Sequence, residues 1–164
     1  MDTCLEPAVI ENVTFDELAV GAEAHVRRTL FPDDILLFAH VSGDVNPAHL
    51  DPEYAAHSEF HEIIAHGMWG GSLISAVLGT RLPGPGTIYL GQSLRFRRPV
   101  RLGDALTVSV KCTSKDAERH RATFECRITD RLGRDVITGE ADVVVPMTKV
   151  RRLRPSLPHV RLEP

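Results

Sequence analysis

The chain has 164 residues, 43% of them hydrophobic and 25% charged, so it is of single-domain size and can bury a core without a disulfide or metal staple. Cys4, Cys112 and Cys126 are odd in number and lack CxxC spacing, which argues against a disulfide framework or a zinc site and fits incidental thiols in a reducing cytosol. The basic residues Lys149, Arg151, Arg152, Arg154 and Arg161 gather near the C-terminus, so the rest is more acidic than the net charge of −3, unlike a nucleic-acid-binding body. Asp2 and Glu6 replace the basic start of a secretory signal, and no stretch reaches the about 20 apolar residues of a membrane span. A cytoplasmic protein without nucleic-acid or membrane partners is expected.

In chain order, EAHVRRTL (23–30) reads as a first strand. Pro32, Asp33 and Asp34 then open a helix to about Val41, because proline suits the first turn and carboxylates favour its positive end. Asp51 and Pro52 start a short helix over PEYAAH. A third helix runs from Gly67 to about Leu82. It carries no charge between Gly67 and Thr80, so it must be enclosed on most sides.

The second half alternates with period two. Leu106, Val108, Val110 and Cys112 form one apolar row, and Ala122, Phe124, Cys126 and Ile128 another, each the inner face of a half-buried antiparallel strand. TIYLGQSLRF (87–96) and DVITGEADVVV (135–145) complete the sheet, with turns at Gly103 and Gly133. The economical packing is α+β: one curved antiparallel sheet wrapped around the uncharged helix, a hot-dog fold. Periodicity stops at Pro146, so residues 1–146 are expected to be the domain and 147–164 a basic, proline-containing tail or linker.

The chemistry concentrates in SGDVNPAHLDP (42–52), which places Asp44, Asn46 and His49 within six positions around Pro47. Water held between a carboxylate and an imidazole can lose a proton as it attacks, and the same pair can return one, whereas Asn46 can bond the backbone and steady the loop. Taken singly, Asp44 and Asn46 read as turn or cap residues, and His49 as structural. His66 reads best as a capping or packing residue at the third helix.

FAHVSGDVNPAHLDPEYA (38–55), IIAHGMWGGSLISAVLG (63–79) and LPGPGTIYLGQSLRFRRPVRLGD (82–104) together resemble the MaoC-like (R)-specific enoyl-CoA hydratases, over about residues 15–146. The chain is also similar to the hydratase-type domain fused ahead of phosphate acetyl/butyryltransferases, in which the basic tail would be a connector. The resemblance implies a lyase that hydrates trans-2-enoyl-CoA to (R)-3-hydroxyacyl-CoA, as a homodimer with its acyl-CoA near the subunit interface. It also implies that the Gly67 N–H donates to the thioester carbonyl, as the unpaired first turn of a helix can, and that Ser75 orients the catalytic carboxylate. No metal or other cofactor is required, because the thioester already activates the alkene.

For the acyl tail, Trp69 and Leu78 are the expected bulky contacts, with Leu78 as the limiting wall and a preference for about four to six carbons. Arg95 and Arg97 are candidates for the coenzyme A phosphates, although alternating arginines on a strand are equally expected of a solvated face. A hot-dog thioesterase and a non-catalytic acyl-CoA-binding module remain alternatives. The uncharged third helix counts against the first, since many hot-dog thioesterases carry their carboxylate there, and the intact Asp44, Asn46, His49 and Gly67 count against the second. A dehydratase of acyl-carrier-protein substrates would share the chemistry.

Overall fold

The computed structural model describes residues 8–161. The alternating rows become the sheet. β2 (Glu23–Thr29), β3 (Ile88–Phe96), β4 (Ala105–Asp116), β5 (Arg121–Thr129) and β6 (Asp135–Val144) form one antiparallel five-stranded sheet in the order β2-β4-β5-β6-β3. Every residue of the two apolar rows named above is buried, at 3% exposure or less, whereas Lys111, Arg121, Glu125 and Arg127 point to solvent. The expected α+β hot-dog architecture is therefore present, since those buried rows pack on the central helix α4 (Gly67–Thr80).

Close approach explains two of the glycines. A Cβ on Gly70 of α4 would lie 2.3 Å from Ile137 Cδ1 of β6, and one on Gly139 of β6 would lie 1.8 Å from the Ser93 carbonyl of β3. The expected enclosure on most sides is met on one side only within the single chain. Trp69, Gly70, Ile74, Val77 and Leu78 are buried, but Met68, Ser72, Ser75, Ala76 and Gly79 form one exposed, uncharged face. A single sheet covers only the side of a helix that it touches, and the described residues supply no second layer over the other.

Three shorter helices lie between β2 and α4: α1 (Pro32–Ser42), α2 (Pro47–Leu50) and α3 (Pro52–His57). Asp34 confirms the acidic start of α1 by accepting the Phe31 N–H at 2.9 Å and pairing with Arg28. Asp51 caps α3 by accepting the Glu53 and Tyr54 N–H groups. The four-residue α2, too short to show a period, escaped the sequence reading.

The segment read as a tail is in part strand. β7 (Arg151–Leu153) pairs antiparallel with β1 (Val9–Glu11), which the sequence reading also lacked, and Lys149 bonds the Asn12 carbonyl and Glu17. Buried Asn12 fastens this junction, donating to the Pro85 and Thr148 carbonyls and accepting the Val150 N–H. Three-residue strands carry no alternation long enough to count, and only their pairing reveals them. Cys112 and Cys126 are buried free thiols, and burial pushes the Cys126 thiol up to about 11. Cys4 lies outside the described residues.

Candidate active site

The site assembles where α1 ends, α2 begins and α4 begins. Gly43 caps α1 in the left-handed region (φ 74°), with its N–H on the Ala39 carbonyl at 2.8 Å, and thereby turns the chain into the loop carrying Asp44. Asp44 Oδ1 accepts the Asn46 N–H at 3.1 Å, and Asn46 Oδ1 accepts the Ala48 N–H at 3.1 Å. Asn46 thus caps α2, and Pro47 fills its first position. That helix delivers His49 to the site.

The tautomer of His49 follows from its partner. Nδ1 lies 2.8 Å from the Ile64 carbonyl, which can only accept, so Nδ1 carries the hydrogen and the Nε2 lone pair is left as a base. Ile64 itself is fixed by its N–H to the Ala48 carbonyl and by a bridge to Arg101, and Ala65 N–H bonds the Val100 carbonyl at 2.8 Å. The residues leading into α4 are therefore tied both to α2 and to the turn between β3 and β4.

Polar atoms of Asp44, His49 and His66 lie within 4.8 Å of one another. Two imidazoles and a carboxylate at that spacing could in principle hold a divalent cation. The rings of His49 and His66 have centroids 3.9 Å apart and planes 34° apart, and His49 Nδ1 and His66 Nε2 already face backbone carbonyls. The arrangement suits a water molecule between the Asp44 carboxylate and His49 Nε2.

Beside this group opens a cavity of about 360 Å³ whose walls include His49, Gly67, Trp69, Phe96, Arg97 and Ile137. Its size suits a small acyl group, and Gly67 at the start of α4 presents an N–H with no acceptor among the described residues. A side chain at that position would press on the Phe96 ring, 3.0 Å from an added Cβ.

The sequence-predicted site residues thus divide. Asp44, Asn46, His49 and Gly67 come together, and Trp69 and Arg97 line the adjoining cavity. Ser75 does not join them within this chain: it lies on the exposed face of α4, eight residues or about 12 Å along the axis from Gly67. Leu78 is wholly buried and does not line the cavity, so it does not share Ser75's exposed face. Arg95 lines a separate polar groove with Arg127 and Glu140 on the solvent side of the sheet, which Arg97 also borders.

Phe60, Ile137 and His66 were missed as site residues. Phe60 is the one apolar residue of the run SEFHE (58–62), and the imidazole directly before Gly67 was the signal for His66.

With this geometry in place, the MaoC like domain model matches residues 16–131, well over half of the chain. The chain belongs to this MaoC-like family. It is 48% identical over 132 residues to an (R)-specific enoyl-CoA hydratase of Rhodospirillum rubrum, covering 80% of this chain and 91% of that protein. It is 45% identical over 133 residues to a 3-hydroxybutyryl-CoA dehydratase of Methylorubrum extorquens, covering 80% and 83%. The solved structure of the R-hydratase PhaJ1 from Pseudomonas aeruginosa superimposes with a TM-score of 0.90 at 44% identity, covering 94% of this chain and 99% of that one. The MaoC-like chain thus spans 83–99% of each of these proteins, and no helix among its described residues is long and apolar enough to cross a membrane.

Proposed function

We propose that this MaoC-like protein is a hydro-lyase that reversibly adds water to trans-2-enoyl-CoA, giving (R)-3-hydroxyacyl-CoA. The observation that carries the reading is the meeting of the Asp44 carboxylate, the His49 base and the open Gly67 N–H beside a cavity of acyl size. The hydratase and dehydratase relatives support the same substrate class.

Water lies between Asp44 and His49. As its oxygen forms a bond to C3, one proton passes to the pair and the alkene electrons move toward the thioester oxygen, where the Gly67 N–H and the positive end of α4 stabilise them. The pair then returns a proton to C2 on the same face, so one water is added and the enzyme is unchanged. Arg97 at the cavity wall is the proposed contact for coenzyme A phosphate; Ser75, exposed on α4, is proposed to orient the catalytic carboxylate in the assembled enzyme, and the buried Leu78 to limit the acyl tail.

The same reading includes a homodimer. β3 is an edge strand whose Ile88, Tyr89 and Leu90 are exposed, and it lies beside the exposed uncharged face of α4, a surface that a second copy would cover. Crotonyl-CoA tests the activity directly. Loss of enoyl absorbance without free thiol, with the (R) alcohol as product, supports hydration; thiol release identifies a thioesterase, and no change a binding module.

A further inference from the structure

His66 is only 2% exposed, yet its position is not explained by packing alone. Its Nε2 lies 2.9 Å from the Asp44 carbonyl; since a carbonyl only accepts, Nε2 donates. One face of the ring lies against His49, and Phe38 packs nearby with centroids 5.1 Å apart. The next residue along the chain is Gly67. Although His66 stands at the cap position of α4, its side chain makes no cap hydrogen bond, and its buried Nδ1 has no hydrogen-bond partner among the described residues.

A leucine would fill this space without an unpaired buried nitrogen, so an imidazole here is inferior as core. What leucine cannot do is hold the Asp44 loop. That loop is exposed and otherwise held by local bonds, such as the Asp44 N–H to Ser42 Oγ at 3.2 Å, whereas His66 ties it to a point twenty-two residues further on. The side chain thus meets all three parts of the site: Asp44 by a hydrogen bond, His49 by ring contact, and Gly67 by the peptide bond.

We infer that His66 is a positioning residue that holds the Asp44 carboxylate, the His49 base and the Gly67 N–H in register for water addition. The inference rests on the Asp44–His49 reading proposed above. His66 acts through these groups and does not itself exchange a proton with substrate. Because displacements near 1 Å can cost about 10²-fold in rate, loss of the tie is read in turnover rather than in affinity.

The test is a set of variants assayed with crotonyl-CoA and melted in parallel. His66→Leu is expected to lower kcat by about 10–100-fold, with KM within about threefold and an unchanged or raised Tm, the opposite of what removing a structural residue does. His66→Gln, whose amide nitrogen reaches the place of Nε2, should recover most of kcat, whereas His66→Asn, whose nitrogen falls short, should not. Should His66→Leu fail to fold, the Gln and Asn pair decides. Wild-type kcat in folded His66→Leu, or Gln no better than Asn, overturns the inference. Asp44→Asn runs alongside: if it keeps full activity the parent reading fails, and if it alone loses activity only the role of His66 fails.

Discussion

The Nδ1–H of His49 is donated to the Ile64 carbonyl at 2.8 Å, which leaves the imidazole a single free nitrogen, Nε2. One backbone bond therefore decides which atom of this residue can take a proton. With His66 against the ring face, the base has little freedom to turn away from the Asp44 carboxylate. Asp44→Asn and His49→Ala are each expected to lower the hydration rate by about 10²–10⁴-fold. The double variant should lose far less than the product of the two, since both act on one water. Steady-state rates with crotonyl-CoA on folded proteins check this, and full activity in either single variant removes the mechanism.

Assembly is expected to depend on the bare face of α4. Ala76 is exposed on that face between Ser72 and Gly79, with no charge nearby on the helix. Replacing it with glutamate leaves the chain's own core untouched but places a charge where a second copy would pack. Light scattering should find a dimer of the parent protein and a monomer, or a much weakened dimer, for Ala76→Glu. A parent protein that is an active monomer of 18.1 kDa would contradict the dimer.

Chain-length selection is expected to respond at Leu78. This side chain is fully enclosed, so Leu78→Ala should destabilise the fold by about 2–5 kcal/mol, in the range for buried leucines. It also frees room for two or three methylenes beneath α4, each worth about 0.8 kcal/mol when buried. The kcat/KM ratio should move toward eight carbons and longer. An unchanged ratio in a folded, active Leu78→Ala enzyme would leave Leu78 as ordinary core, with Trp69 and Ile137, which do line the cavity, as the acyl wall.

Acid should loosen the junction of β1 and β7. The hydrogen bond from Lys149, aided by the Thr14 N–H, lowers the Glu17 carboxyl from 4.5 to about 2. A carboxyl lowered on folding contributes stability that is complete above its unfolded value and is lost as pH falls through its folded one. The contribution of Glu17 is thus present above about pH 4.5 and fades toward pH 2. Glu17→Gln should flatten the dependence of Tm on pH across that window while leaving neutral hydration rates unchanged. An identical acid profile in the variant would show that the pair contributes nothing.

The alternation in residues 105–129 was sufficient to place two strands and their inner faces, because burying one face of a pleated strand imposes period two on the residues themselves. The charge-free run at 67–80 marked the central helix for a similar reason, and SGDVNPAHLDP stood out by gathering a carboxylate, an amide and an imidazole. Partnership was less legible. That His49 presents Nε2 and that His66 reaches back to the Asp44 carbonyl depend on bonds between residues fifteen and twenty-two positions apart. The pairing of β1 with β7 and the exposure of Ser75 likewise depend on which surfaces the folded sheet reaches. Periodicity records the face that an element buries, whereas only the tertiary structure decides which groups meet across it.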